Sequence, residues 1–151
     1  MAEKKVRVGV FGIGRGRMFA QQAAAMDGVE LVAICDQREK AMRDFAAQYA
    51  GVTTYTEYDR FLEHDMDAVV LANYATEHAP AAIQAMRAGK HVQSENIAVK
   101  TMAEAVALVR AVEATGKIYM YAENCCYTNT VQEIRRLYSA GELGEFRYGE
   151  G

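Results

Sequence analysis

The residues of this chain best suited to do chemistry are a glycine-rich stretch and one aspartate near the N-terminus. Gly12 and Gly14 hold the first two positions of a G-x-G-x-x-G pattern, directly after the apolar run Val6–Phe11. Glycine here lets the backbone turn tightly and leaves no Cβ between the chain and a pyrophosphate. Asp36 follows a second run, Glu30–Cys35, where a carboxylate accepts hydrogen bonds from an adenosine ribose. The order strand, turn, helix, strand and acid predicts a dinucleotide site, with the pyrophosphate at the helix N-terminus.

One position departs from this pattern. The third glycine position is Arg17, and Gly16 lies one residue earlier. Because the third glycine serves close packing of the helix on the strand, the departure concerns packing more than phosphate contact. An alternative interpretation is that the glycines only punctuate a loop and that Asp36 caps a helix, with Glu39 three residues later as in a capping box. The agreement of motif and context favours the nucleotide interpretation.

The same region indicates which dinucleotide the site prefers. A carboxylate at Asp36 accepts from both ribose hydroxyls and repels a 2′-phosphate, which favours NAD over NADP. Arg38, two residues further on, argues in the opposite direction, because a basic side chain there neutralises a 2′-phosphate and so favours NADP. NAD is therefore the predicted cofactor.

Composition and charge exclude several classes of protein. The chain has 151 residues, is 51% hydrophobic and carries a formal net charge of −3, which suits one domain with a substantial core and argues against nucleic acid as a partner. No apolar run is longer than Ala68–Ala72, which is too short to span a membrane. The cysteines Cys35, Cys125 and Cys126 fit neither a disulfide framework nor a zinc site, so we expect no metal and a cytoplasmic location.

Strands and helices alternate along most of the chain, which predicts an α/β fold with a doubly wound, Rossmann-like parallel sheet. Thr101 and Glu104 form a capping box before a helix on which Val106, Val109 and Val112 share one face. Six strands are predicted, at Val6–Phe11, Leu31–Cys35, Val52–Tyr55, Ala68–Ala72, His91–Ser94 and Ile118–Ala122.

The domain organisation follows from where this alternation stops. Six strands by about residue 122 complete a doubly wound domain, and Val131, Ile134 and Leu137 mark one more helix before a further strand at Phe146–Gly149. These last two elements have nothing to pack on in such a domain. We therefore expect residues 1–123 to form a dinucleotide-binding domain and residues 124–151 to form a connecting helix and the first strand of a second domain.

Local motifs along the whole chain resemble those of a known family. They are GIGRGR at Gly12–Arg17, Cys35 and Asp36 before the EKA stretch Glu39–Ala41, ANYATEHA at Ala72–Ala79, AGKHV at Ala88–Val92 and SAGELGEFRY at Ser139–Tyr148. By these motifs the chain is identified as a member of the glucose–fructose oxidoreductase/inositol dehydrogenase-like (Gfo/Idh/MocA) family. The resemblance implies an NAD(P)-dependent oxidoreductase of carbohydrate metabolism, acting on a sugar or polyol, that is a homo-oligomer at full length.

The resemblance also implies where catalysis takes place. In that family a second, α+β domain supplies most of the substrate pocket, including a catalytic His or Asp, so we expect no catalytic residue within this chain. The fingerprint, the strand ends and the family positions together give the predicted cofactor-binding residues: Gly12, Ile13, Gly14, Arg15, Gly16, Arg17, Asp36, Gln37, Arg38, Ala72, Asn73, Tyr74, His78, Glu95, Asn96 and Asn124.

One motif of the family is changed here. Its members usually carry Glu-Lys-Pro after the fifth strand, where the Lys assists proton transfer, whereas this chain has Glu95, Asn96 and Ile97. Asparagine donates hydrogen bonds but is neither an acid nor a base at ordinary pH. The usual route of the family to alcohol dehydrogenation therefore lacks its proton-transfer group.

A second likeness supplies an alternative. AENCCY at Ala122–Tyr127 is similar to the exit of strand six in a branch of the family that hydrolyses glycosides with bound NAD and also lacks that Lys. The likeness implies oxidation of a sugar hydroxyl, elimination of the glycosidic group, addition of water and reduction. Three functions stay open: an oxidoreductase acting on a sugar or polyol, an NAD-dependent glycoside hydrolase, and a non-catalytic dinucleotide-binding module.

Overall fold

Six short strands form one parallel sheet at the centre of the molecule, as the sequence predicts. The computed structural model describes residues 4–150, so residues 1–3 and 151, the outer ends of the two predicted domains, lie outside the described residues. The strands lie in the order β3-β2-β1-β4-β5-β6, and each neighbouring pair is parallel. Their bounds are β1 Val6–Phe11, β2 Val29–Cys35, β3 Thr53–Tyr55, β4 Ala68–Leu71, β5 His91–Ser94 and β6 Tyr119–Tyr121.

Helices connect the strands and cover the sheet on both faces. On one face, a core cluster joins the first two helices to β1 and β2 and contains Val10, Ile34 and Phe45. On the other face, a second cluster contains Phe61 and Met86 of the third and fourth helices. The doubly wound fold is therefore confirmed. The helices are α1 Gly16–Ala25, α2 Glu39–Ala46, α3 Tyr58–Leu62, α4 His78–Arg87, α5 Met102–Thr115 and α6 Asn129–Ser139, with 3-10 turns at Ala75–Glu77 and Cys125–Tyr127.

The strand order reverses between β1 and β4, and this reversal positions the site. β1 pairs with β2 on one side and with β4 on the other, and Phe11 lies opposite Leu71 at the carboxyl ends of β1 and β4. The N–H of Ala72 donates to the Phe11 carbonyl oxygen at 2.8 Å. Ligands of open α/β sheets bind in the crevice outside the carboxyl ends at such a switch point.

The face of α5 that packs against the rest of the molecule differs from the valine stripe seen in the sequence. Val106 and Val109 are 46% and 57% exposed, whereas Leu108 and Ala111 are buried in the cluster that includes α4; of the predicted stripe, only Val112 packs against this cluster. Both stripes have helical spacing. Leu108 and Ala111 share their core cluster with three alanines of α4, Ala81, Ala82 and Ala85.

The strand predicted at Phe146–Gly149 is not observed. Residues 145–150 have no regular secondary structure, and Phe146 and Tyr148 are 68% and 77% exposed. A strand needs a neighbour to satisfy its N–H and C=O groups. No described residue provides that neighbour, so the apolar alternation alone does not produce a strand.

Candidate dinucleotide-binding site

The glycine turn after β1 has the geometry that the sequence predicts. Gly12 has φ +97°, a left-handed conformation that favours glycine, and a Cβ on it would collide with the backbone of Ala72. The Gly12 N–H donates to the Cys35 carbonyl oxygen at 2.8 Å, and the Gly16 N–H donates to the Gly12 carbonyl oxygen at 3.0 Å. The turn therefore holds together the ends of β1, β2 and β4.

Gly16 performs the packing role that the fingerprint assigns to its third glycine. It is buried, and a Cβ on it would lie 2.7 Å from Val10 Cγ1 and 3.3 Å from Ala72 Cβ. The irregular spacing thus shifts the packing glycine by one residue. Arg17 instead places its guanidinium 5.6 Å from the centre of the Phe45 ring, on the side of α1 that faces α2.

The space above Gly14 is occupied only by a movable side chain, that of Arg38. Gly14 is exposed, and the nearest atoms to a Cβ built on it belong to the flexible Arg38 guanidinium, with Nη2 at 2.7 Å. In the described part of the chain, no side chain caps the N-terminus of α1, which begins two residues later. A helix N-terminus with free N–H groups next to such a turn suits an anion such as a pyrophosphate.

Asp36 joins the glycine turn to the loop after β2. Its Oδ2 accepts from the Ile13 N–H at 2.7 Å and from Arg38 Nη2 at 2.8 Å. Its Oδ1 accepts from the Arg38 backbone N–H at 2.8 Å and from Arg38 Nε at 3.0 Å. The capping-box alternative is not observed, because no side chain among residues 4–150 caps α2, whose N-cap residue is Arg38.

These hydrogen bonds keep Asp36 ionised. Burial alone would raise the pKa of this carboxyl group, which is only 8% exposed, but the hydrogen bonds from Arg38 and Ile13 outweigh burial. The pKa of Asp36 is therefore lowered. An ionised acceptor at this position is the feature that a ribose-binding acid requires.

A cleft of about 470 Å³ opens beside these residues at the switch point. Both polar atoms of the Asn73 side chain are buried and have no hydrogen-bond partner among the described residues. Buried polar groups in proteins are normally paired, so this amide is poised for a ligand. The cleft is lined by predicted site residues and by Phe11 and Glu77, which the sequence reasoning missed: Phe11, Gly12, Gly14, Arg15, Asp36, Gln37, Arg38, Ala72, Asn73, Tyr74 and Glu77.

A second cavity of about 290 Å³ lies next to the first, and Arg15 lines both. Arg15 Nη2 lies 3.1 Å from Glu95 Oε1, so an ion pair connects the glycine turn to the end of β5. Glu95 and Asn124 line this second cavity, as their positions at strand ends suggest. The sequence contains no signal for the ion pair itself, which depends on side-chain conformation.

The remaining predicted residues lie near the cleft without lining it. Ile13 is buried and contributes its N–H to Asp36. The Asn96 N–H donates to Glu95 Oε2 at 3.1 Å, and the Asn96–Ile97 peptide bond is cis. His78 is 1% exposed, and its Nδ1 lies 3.0 Å from the Ile97 carbonyl oxygen, so it holds the loop after β5.

Residues 4–150 contain no group of three or more His, Cys, Asp or Glu side chains arranged to hold a metal ion. Burial raises the pKa of the Cys35 thiol to about 12, which makes this cysteine unreactive. Cys125 and Cys126 are exposed and unbridged. Within the same residues, every helix is too short or too polar to cross a membrane.

Comparisons with known proteins agree with this geometry. The family model for an oxidoreductase family with an NAD-binding Rossmann fold, Gfo/Idh/MocA, matches residues 6–123. The crystal structure of myo-inositol 2-dehydrogenase from Lactobacillus plantarum is 25% identical and superposes with a TM-score of 0.87, covering 96% of this chain and 44% of that chain.

Two curated relatives come from a different enzyme class. A glycosyl hydrolase family 109 protein of Solibacter usitatus (strain Ellin6076) is 32% identical over 157 residues, which cover 95% of this chain and 36% of the relative. An alpha-N-acetylgalactosaminidase of Bacteroides fragilis is 33% identical over 156 residues, which cover 97% of this chain and 37% of the relative. The chain thus spans little more than a third of the length of these relatives. Because the family match contains the glycine turn, Asp36 and the cleft, the chain belongs to the Gfo/Idh/MocA oxidoreductase family and is an NAD-binding Rossmann domain of it.

Proposed function

We propose that this chain holds NAD in the cleft at the switch point, with the pyrophosphate on the Gly12–Gly16 turn and the adenosine ribose at Asp36. The observation that carries the proposal is the 2.7 Å hydrogen bond from the Ile13 N–H to Asp36 Oδ2. It makes the turn and the acid a single structural unit, which is what binding of one dinucleotide across both requires. The residues present fit this cofactor, since only the movable Arg38 guanidinium occupies the space above Gly14 and the Asn73 amide has no partner of its own among the described residues.

The enzyme to which this domain contributes acts on a sugar or polyol. NAD, when bound, supplies the acceptor for a hydride from a hydroxyl-bearing carbon. The chain's own residues bind and orient the cofactor, and the substrate is held by a second domain. The support is the likeness to myo-inositol 2-dehydrogenase and to two relatives named as carbohydrate-active enzymes.

A second candidate, a glycoside hydrolase that retains NAD, is favoured by a specific observation. Asn96 lies where the family usually has Lys. Its amide has no titratable group that could accept the proton of an alcohol during net oxidation. The relatives that are 32% and 33% identical are named as glycosidases.

We infer that the cofactor domain ends after residue 123, and two observations support this boundary. The family match ends at that residue, and within the described structure α6 has no buried residue.

The full enzyme is a homo-oligomer of the cytoplasm. Three free cysteines, two of them exposed, suit a reducing compartment.

Two hybrid enzymes test these candidates. Residues 6–123 of this chain replace the matched region of the Bacteroides fragilis glycosidase in one hybrid and of the Lactobacillus plantarum dehydrogenase in the other. We expect the first hybrid to release aryl alcohol from an aryl α-N-acetylgalactosaminide without net NADH. NADH formation by the second hybrid alone would select the oxidoreductase. If both hybrids fold and bind NAD but neither is active, the non-catalytic dinucleotide-binding module would be the remaining function.

A further inference from the structure

The carboxylate expected to bind the ribose is already saturated by the protein. A carboxylate has about four acceptor sites on its two oxygens. Asp36 uses four, accepting from the Ile13 N–H and from the backbone N–H, Nε and Nη2 of Arg38. Two ribose hydroxyls therefore need two of these donors to leave.

The four donors differ in how easily they leave. The two backbone N–H groups belong to the glycine turn and to the start of the loop before α2, which are fixed by the fold. The other two belong to the Arg38 guanidinium, whose side chain is 59% exposed and lines the mouth of the cleft. The same guanidinium fills the space above Gly14, the space assigned to the pyrophosphate. The guanidinium is thus the donor that a dinucleotide displaces.

The displaced guanidinium stays close to the ribose. Its backbone remains tied to Asp36 by the 2.8 Å hydrogen bond of the Arg38 N–H. The other charged groups lining the cleft are Asp36 and Glu77, which repel a phosphate, and Arg15, which is paired with Glu95. Arg38 is therefore the cation best placed to accept a phosphate on the 2′ oxygen, through a two-pronged contact.

We propose that Arg38 is a latch on the ribose site that decides how strongly this domain distinguishes NAD from NADP. This inference rests on the proposed binding of NAD in the cleft. Closed on Asp36, the guanidinium competes with the ribose hydroxyls and weakens NAD binding. Swung outward, it pairs with a 2′-phosphate and offsets the repulsion from Asp36. NADP is then a weaker but genuine ligand of the wild-type domain.

Two substitutions separate the positive charge of Arg38 from the paired N–H donors of its planar guanidinium. Arg38→Ala removes both, so NAD should bind about threefold more tightly because a competitor is lost, and NADP about tenfold more weakly because its phosphate loses a charged partner. Arg38→Lys keeps the positive charge but loses the paired N–H donors, so the affinity for NADP should fall by less than in Arg38→Ala. Arg43→Ala, at an exposed residue paired with Glu39, is the matched control and should change neither affinity.

The measurements are calorimetric titrations of the purified chain with NAD, NADP, AMP and adenosine 2′,5′-bisphosphate. The latch predicts that Arg38→Ala widens the ratio of NADP to NAD dissociation constants, and that the adenosine bisphosphate loses affinity whereas AMP does not. An unchanged ratio, or weaker binding of all four ligands alike, would overturn the latch alone. Absence of NAD binding by the wild-type chain would overturn the proposed function and the latch together.

Discussion

Asp36 is the residue on which the site depends, and its ionisation links the site to stability. Its pKa in the folded chain is lowered below the ordinary 3.8, with the hydrogen bonds from Arg38 and Ile13 outweighing burial. A lowered folded pKa contributes stability that is fully present above the unfolded pKa and is lost as pH falls through the folded pKa. We therefore expect the free energy of unfolding to decrease below about pH 4 in part through Asp36.

Substitution of this aspartate tests that link. Asp36→Asn should cost about 1–3 kcal/mol at pH 7, because the buried Ile13 N–H and the partly buried Arg38 N–H lose a charged acceptor, and the cost should shrink at pH 3. Urea unfolding at the two pH values measures it. Asp44→Asn, at an exposed aspartate paired with Lys40, is the control and should cost little at either pH. An equal cost of Asp36→Asn at both pH values would contradict the assignment.

Residue types and spacing predicted much of the site but not its side-chain contacts. Gly12, Gly14 and Asp36 lie where the fingerprint places them, because strand ends of a parallel sheet share one edge. The hydrogen bonds from the Arg38 guanidinium to Asp36 and the ion pair between Arg15 and Glu95 were not predicted. Both depend on rotamers and on which strands become neighbours, and short-range sequence patterns carry neither.

At the scale of elements, the contact of α1 with β1 and β4 depends on one missing methyl group. Gly16→Ala would place a Cβ 2.7 Å from Val10 Cγ1, and overpacking of this kind typically costs about 1–3 kcal/mol. Gly14→Ala is the matched control, since its Cβ meets only the movable Arg38 guanidinium. Chemical denaturation of the two variants should separate them clearly. Equal stability would show that the shifted glycine does not have the packing role.

Elements were predicted best where local signals and long-range packing agree. β1 and β5 have the predicted bounds, and Thr101 Oγ1 accepts from the Glu104 N–H at 3.1 Å as the N-cap of α5. The packed face of α5 and the strand at Phe146–Gly149 were not predictable in the same way. The first depends on the shape of α4, and the second depends on a neighbouring strand.

At the scale of the whole molecule, the site is a cleft open to solvent. Hydride transfer needs a substrate held at near-attack distance and shielded from water, and neither cavity encloses one. We expect the purified chain, incubated with NAD and a panel of sugars, polyols and aryl glycosides, to form neither NADH nor aryl alcohol. Turnover above that of a Gly14→Val control would show a complete active site within these 151 residues.

An equilibrium titration of the chain with NADH, followed by the fluorescence of NADH, tests whether the glycine turn and Asp36 bind the dinucleotide. We expect saturable binding with one NADH per chain, and a loss of about 100-fold or more in affinity for Gly14→Val, whose side chain fills the pyrophosphate space. Ala25→Val, at an exposed position of α1, is the matched control and should bind as wild type does. Undiminished NADH affinity in a folded Gly14→Val variant would contradict the account and place the dinucleotide elsewhere.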